Sequence, residues 1–125
     1  MKVLTTKEVG DAAEARALDH LTAAGLVLVR RNYRVARGPR ARGGEIDLIL
    51  SERDGTLVFV EVRVRRGLSH GGAAATIDGF KRRSLVLAAR HFLLGYATPP
   101  PCRFEVVAID GERMEWLRGA FDAAS

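Results

Sequence analysis

The stretch from Gly44 to Arg65 constrains the fold most. It reads Gly-Glu-Ile-Asp-Leu-Ile-Leu, a Ser-Glu-Arg-Asp-Gly-Thr turn, then Leu-Val-Phe-Val-Glu-Val-Arg-Val-Arg. Two apolar runs around Asp54-Gly55 predict a β-hairpin. Each run carries one carboxylate, Asp47 in the first and Glu61 in the second. An ionised carboxylate inside an apolar strand is unfavourable unless a positive group satisfies it.

Register decides whether the two acids meet. Alternation along a strand puts Leu57, Phe59, Glu61 and Arg63 on one face, and Glu45, Asp47 and Ile49 on one face of the first run. A two-residue loop at Asp54-Gly55 would set Asp47 opposite Val62 and turn Glu61 to the far side of the sheet. A three-residue loop, Arg53-Asp54-Gly55 with Gly55 left-handed, sets Asp47 across from Glu61 and Ile49 across from Phe59. We expect the second register. Like charges facing each other are destabilising, so a cation between them is expected, and hard ions such as Mg²⁺ take carboxylate oxygens while keeping several waters.

A chain of 125 residues is long enough for one domain with a core, and we expect a single domain over 1–125. No apolar run is long enough to span a membrane, and the start lacks a signal-peptide pattern. The single cysteine, Cys102, excludes an internal disulfide and a cysteine-based zinc site; beside an apolar run, it is expected to be buried. A cytoplasmic protein is the simplest expectation. The net charge is +5, and between Arg30 and Arg42 there are six Arg and no acid. A basic surface around an acidic cluster fits a polyanion approaching a metal site, and a merely solvated basic surface explains the charge equally well.

In order, Thr5 or Thr6 caps a helix running to about Ala24, stopped by Gly25. Its inward face reads Gly10, Glu14, Ala17, Leu18, Leu21, which puts a carboxylate toward the sheet. Leu26 to Val35 is a strand whose Arg30–Arg34 segment belongs to an edge or a partner-facing surface. Ala36 to Gly43 is expected to be a mobile basic loop, and Arg66 to Ala75 a flexible one. Asp78 caps a second helix, Gly79 to about Leu94, with Leu85, Ala88, Ala89, Phe92 and Leu93 as its buried stripe. Lys81, Arg82 and Arg83 near its start oppose the helix dipole, and an arriving phosphate would give them a role. Strands are expected over Arg103–Ile109 and Met114–Leu117. His20, His70 and His91 lack metal-ligand spacing. The order α-β-β-β-α-β-β predicts an α/β domain, a mixed sheet of about five strands with helices packed on it.

These residues resemble the YraN-like family, an uncharacterised bacterial family whose core is similar to restriction-endonuclease and Holliday-junction-resolvase nucleases. The likeness spans nearly the whole chain. It rests on Gly10-x-x-x-Glu14, Arg31-Asn32-Tyr33-Arg34, Gly44-Glu45-Ile46-Asp47-Leu48-Ile49, Val58-Phe59-Val60-Glu61-Val62-Arg63, Lys81-Arg82-Arg83, Arg103-Phe104-Glu105-Val106-Val107 and Arg118-Gly119-Ala120-Phe121.

The resemblance implies a restriction-endonuclease-like domain and a metal-dependent endonuclease acting on structured or branched DNA. Asp47, Glu61 and Glu14 would serve Mg²⁺ or Mn²⁺, and Glu14, Asp47, Glu61 and Arg63 would form the catalytic set. Arg31, Arg34, Arg42, Arg65, Lys81 and Arg82 would hold the sugar–phosphate backbone. A homodimer is implied too, since resolvase-like enzymes cut two strands as dimers. One position departs from the pattern: Arg63 stands where the nucleases have Lys. Arg grips phosphate in a fork but shuttles no proton. That keeps open a catalytically weak or inactive nucleic-acid-binding protein on the same fold, and an adaptor for a protein partner is a third reading.

Overall fold

The structure, a computed structural model, describes residues 3–36, 43–64 and 77–121. The expected loops at 36–43 and 66–75, with Arg42 and Arg65, fall wholly or largely outside the described residues. The elements are α1 (Thr6–Ala23), β1 (Val27–Val35), β2 (Gly44–Ser51), β3 (Leu57–Val64), α2 (Gly79–Leu93), β4 (Cys102–Asp110) and β5 (Arg113–Phe121). This is the predicted α-β-β-β-α-β-β order. The five strands form one mixed sheet, β1-β2-β3-β4-β5, antiparallel except for the parallel β3–β4 pair. A parallel pair needs a crossover connection, and α2 lies on that path.

Both helices start as the sequence predicts. Thr5 accepts from Glu8 N while the Glu8 carboxylate accepts from Thr5 N, a capping box. The Asp78 side chain accepts from Lys81 N at 2.8 Å. The helices pack on opposite faces of the sheet. Ala13, Ala17 and Leu21 of α1 bury against Leu48, Leu50, Val58, Val60, Val107 and Ile109. Leu85, Ala88 and Ala89 of α2 bury against Ile46, Ile49, Leu57, Phe59 and Phe104. The buried stripe of α1 thus runs through Ala13, and Glu14 sits at its margin, half-buried.

The hairpin adopts the three-residue register. Ile49 pairs with Phe59 and Ser51 with Leu57, while Glu52 and Thr56 close the loop and Gly55 takes φ +94°. Asp54 Oδ1 accepts from Thr56 N at 2.9 Å, fixing the turn. The ladder ends at Leu48–Val60, one step short of Asp47 and Glu61.

At that point two strands change face together. Leu48 packs with α1, yet Ile46, two residues earlier, packs with α2. In β1, Asn32 has φ +51°, and Arg31 and Tyr33 pair with Leu48 and Ile46 on either side of it. Asn tolerates the left-handed region better than most residues. The resulting crease puts Asp47 where the two faces of the sheet meet.

Two expectations are corrected. β5 runs on to Phe121 instead of stopping at Leu117. The pairing shifts between Phe104 and Val106, and Gly119 opposite takes φ +58°, so the glycine marks a bulge rather than a strand end. Cys102 is exposed, because it is the first residue of β4, before that strand enters the core.

Gly44 sets the distance between β2 and α2. A Cβ there would lie 2.5 Å from Ser84 O and 2.8 Å from Ala88 N, both backbone atoms that cannot rotate away. Gly44→Ala should therefore destabilise the fold by about 2 kcal/mol, the scale of overpacking, read as a lowered urea midpoint. An unchanged midpoint would mean that α2 yields without strain.

Candidate functional site

Asp47 and Glu61 are only 9% and 3% exposed. Asp47 Oδ2 accepts from the backbone N–H of Val62 at 2.8 Å, so the side chain takes a donor at the point where the ladder stops. Burial pushes its carboxyl above the ordinary value of 3.8, opposed by that N–H and then by the charges of Lys81, Arg63 and Arg34. Glu61 lies on the next strand with Lys81 Nζ 2.9 Å and Arg63 Nη1 3.8 Å from its Oε2. The lysine contact is an ion pair by distance but is not aligned as a hydrogen bond, and Oε2 is a buried oxygen with no hydrogen-bond donor among the described residues. Lys81 reaches it from the capped first turn of α2.

Glu14 approaches from α1. Its Oε1 is likewise buried without a hydrogen-bond partner among the described residues. Burial raises its carboxyl above the ordinary 4.5, and the negative charge of Asp47 raises it further, while Arg31 opposes. Through the crease, acids from both layers act on one another. Among the described residues, however, no three His, Cys, Asp or Glu side chains lie close enough to hold a metal ion together. Glu14 thus forms no three-acid cluster with Asp47 and Glu61 among the described residues.

Arg34 pairs with Glu45 at 3.4 Å on the exposed surface. It lines, with Glu45, Phe80, Lys81 and Ser84, a cleft of about 470 Å³. Arg31 is exposed on β1. Arg82 lies over the Phe121 ring, its Cζ 5.5 Å from the ring centroid.

A third buried acid, Glu105, shows the contrast. It is only 1% exposed, yet it accepts from Arg103 Nε at 2.5 Å, Trp116 Nε1 at 2.8 Å and Gly119 N at 3.4 Å. Arg103 also bonds Glu52 at 2.6 Å. Glu105 is a satisfied structural acid. The signal that finds it, a carboxylate within an apolar run, is the one that singles out Asp47 and Glu61, and only the donors around each acid separate the two cases.

Raised carboxyl values in the folded state have a definite sign. Asp47 and Glu14 bind protons more tightly folded than unfolded, so their contribution to stability is greatest below about pH 4, near the ordinary carboxyl values, and is lost as pH rises through the raised ones. Glu14→Gln should therefore be more stabilising at pH 7 than at pH 4, measured as urea midpoints against the unsubstituted protein. An equal effect at both would place Glu14 in ordinary solvent.

Residues 13–109 match the uncharacterised protein family UPF0102. A UPF0102 protein of Methylibium petroleiphilum is 66% identical over 122 residues, 98% of this chain and all of its own. UPF0102 proteins of an Acidovorax species and of Cupriavidus taiwanensis are 62% and 57% identical, over 96% and 91% of this chain and 89% and 82% of theirs.

Proposed function

Since the chain belongs to the uncharacterised protein family UPF0102, we propose its function from the carboxylate pair: a metal-dependent endonuclease that hydrolyses phosphodiester bonds in structured or branched DNA. The observation that carries this reading is the state of Glu61, buried with Oε2 met by the Lys81 and Arg63 charges but by no aligned hydrogen-bond donor among the described residues, beside a strand-end Asp47 whose ionisation burial opposes. A fold does not keep two such acids for stability, as the saturated Glu105 illustrates. The resemblance to restriction-endonuclease-like and resolvase-like nucleases supports the same reading.

The donor set suits Mg²⁺ or Mn²⁺. Both carboxylates are hard oxygen ligands, and Mg²⁺ is commonly held by one or two carboxylates together with waters and substrate phosphate. The ion, when bound, supplies Lewis acidity to a phosphate oxygen and a water acidified toward neutrality. The protein does the rest. Asp47 and Glu61 would hold the metal, with Asp47 oriented by the Val62 N–H. Glu14, at the margin, would orient waters of the metal. Arg63 offers a guanidinium fork to phosphate, and Arg31 and Arg34 steer the backbone from the exposed side. A basic chain of net charge +5 favours a polyanion.

The test is cleavage of labelled four-way junction, flap, single-stranded and linear duplex DNA with Mg²⁺ or Mn²⁺, against EDTA. Metal-dependent cutting, strongest on the junction or flap, is expected. Salt-sensitive binding without cutting would support the inactive binder that Arg63 suggests, and neither binding nor cutting would reject both.

A further inference from the structure

Among the described residues Lys81 is the cation closest to Glu61, at 2.9 Å. Its backbone is pinned by the Asp78 cap. Its side chain is 28% exposed and also lines the 470 Å³ cleft with Arg34 and Phe80. The ammonium therefore has two destinations within reach of one backbone position, the buried carboxylate and the open cleft. Arg63, at 3.8 Å, is the more distant charge on the same oxygen.

An ammonium and a divalent ion drawn to one carboxylate oxygen repel each other in a region that water screens poorly, so the arrangement that holds both is disfavoured. We propose, on the strength of the metal-site reading above, that Lys81 is the resident counter-ion of this site. It neutralises Glu61 in the free protein and leaves Oε2 when a divalent cation arrives. The released ammonium turns into the cleft, where it meets the phosphate of the incoming strand. Metal and DNA then bind cooperatively, because each stabilises the arrangement in which Lys81 has left Glu61. Lys81 is a positioning residue on this account, and it explains why a lysine at an unfavourable helix terminus also serves nucleic acid.

The test is a calorimetric titration of Mn²⁺ into the unsubstituted protein, Lys81→Met and Lys81→Gln, with Glu61→Gln as the site control. Each is run with and without a phosphorothioate duplex that resists cleavage, after a thermal melt confirms folding. Removing the competing ammonium should tighten Mn²⁺ binding about tenfold. The duplex, whose phosphate also ligates the ion, should tighten Mn²⁺ binding in every metal-binding form, and by a clearly larger factor in the unsubstituted protein than in Lys81→Met. Equal or weaker Mn²⁺ binding by both Lys81 variants, with Glu61→Gln still abolishing it, overturns the counter-ion role and leaves the metal site standing. Absence of Mn²⁺ binding in every variant overturns both.

Discussion

If the proposed endonuclease function holds, Asp47→Asn should slow metal-dependent cleavage by on the order of 10³-fold, while making the folded chain more stable. The amide keeps an oxygen able to accept the Val62 N–H, so the strand end stays anchored. It removes a negative charge from a position only 9% exposed and relieves the repulsion that raises Glu14. The expected gain near pH 7 is about 1 kcal/mol, roughly 3–5 °C in melting temperature for a chain of this size. Cleavage rates and thermal melts of the same preparation check both halves. A structural acid behaves in the opposite way, so loss of stability in Asp47→Asn would remove the ground for a functional site. A variant that still cuts would move the chemistry elsewhere.

Arg103→Ala should produce the largest stability loss of any single substitution considered. It takes away the Nε donor of Glu105 and leaves that carboxylate buried, with only Trp116 Nε1 and a long contact from Gly119 N. Stranding a buried charge in this way costs about 3 kcal/mol, a large share of the roughly 5–15 kcal/mol typical of a whole domain. Trp116 is the only tryptophan and its ring nitrogen bonds Glu105, so its emission reports the transition directly. Adding Glu105→Leu to Arg103→Ala should recover part of the loss, because the stranded charge is then gone. If Arg103→Ala unfolds at the same urea concentration as the unsubstituted protein, water reaches Glu105 and the network is ornamental. Glu52, the half-buried partner of Arg103, should matter less on its own than Glu105.

The hairpin is legible in the sequence because its chemistry is local. Asp54-Gly55 marks the turn, and of the two loop lengths it allows, the three-residue one that sets Ile49 across from Phe59 is the one adopted. Thr5 with Glu8, and Asp78 three residues before Lys81, mark both helix starts in the same local way. What the sequence hides is non-local or lacks a unique signal. The face exchange at Asn32 and Asp47 depends on two strands bending together, and Asn occurs in ordinary strands too. The pairing of Lys81 with Glu61 joins residues twenty apart through the packing of α2, so nothing in the sequence alone places Lys81 beside the acids. The satisfaction of Glu105 needs Trp116 from the next strand, and Gly119 looks like a terminus until its bulge is seen.

The margin of the sheet has a consequence for life at high protein concentration. β1 is an edge strand that begins with three exposed apolar residues, Val27, Leu28 and Val29, the composition of a sticky tape on which a second chain could grow. The tape is short. Its pairing shifts between Leu28 and Arg30, three arginines follow at 30, 31 and 34, and Asn32 turns the backbone left-handed. A would-be partner strand finds only Val27 and Leu28 as regular, neutral template before it meets the irregularity at Val29 and a row of like charges. The twist that brings Asp47 to the junction of the two faces thus also guards the sheet against fibrous self-association.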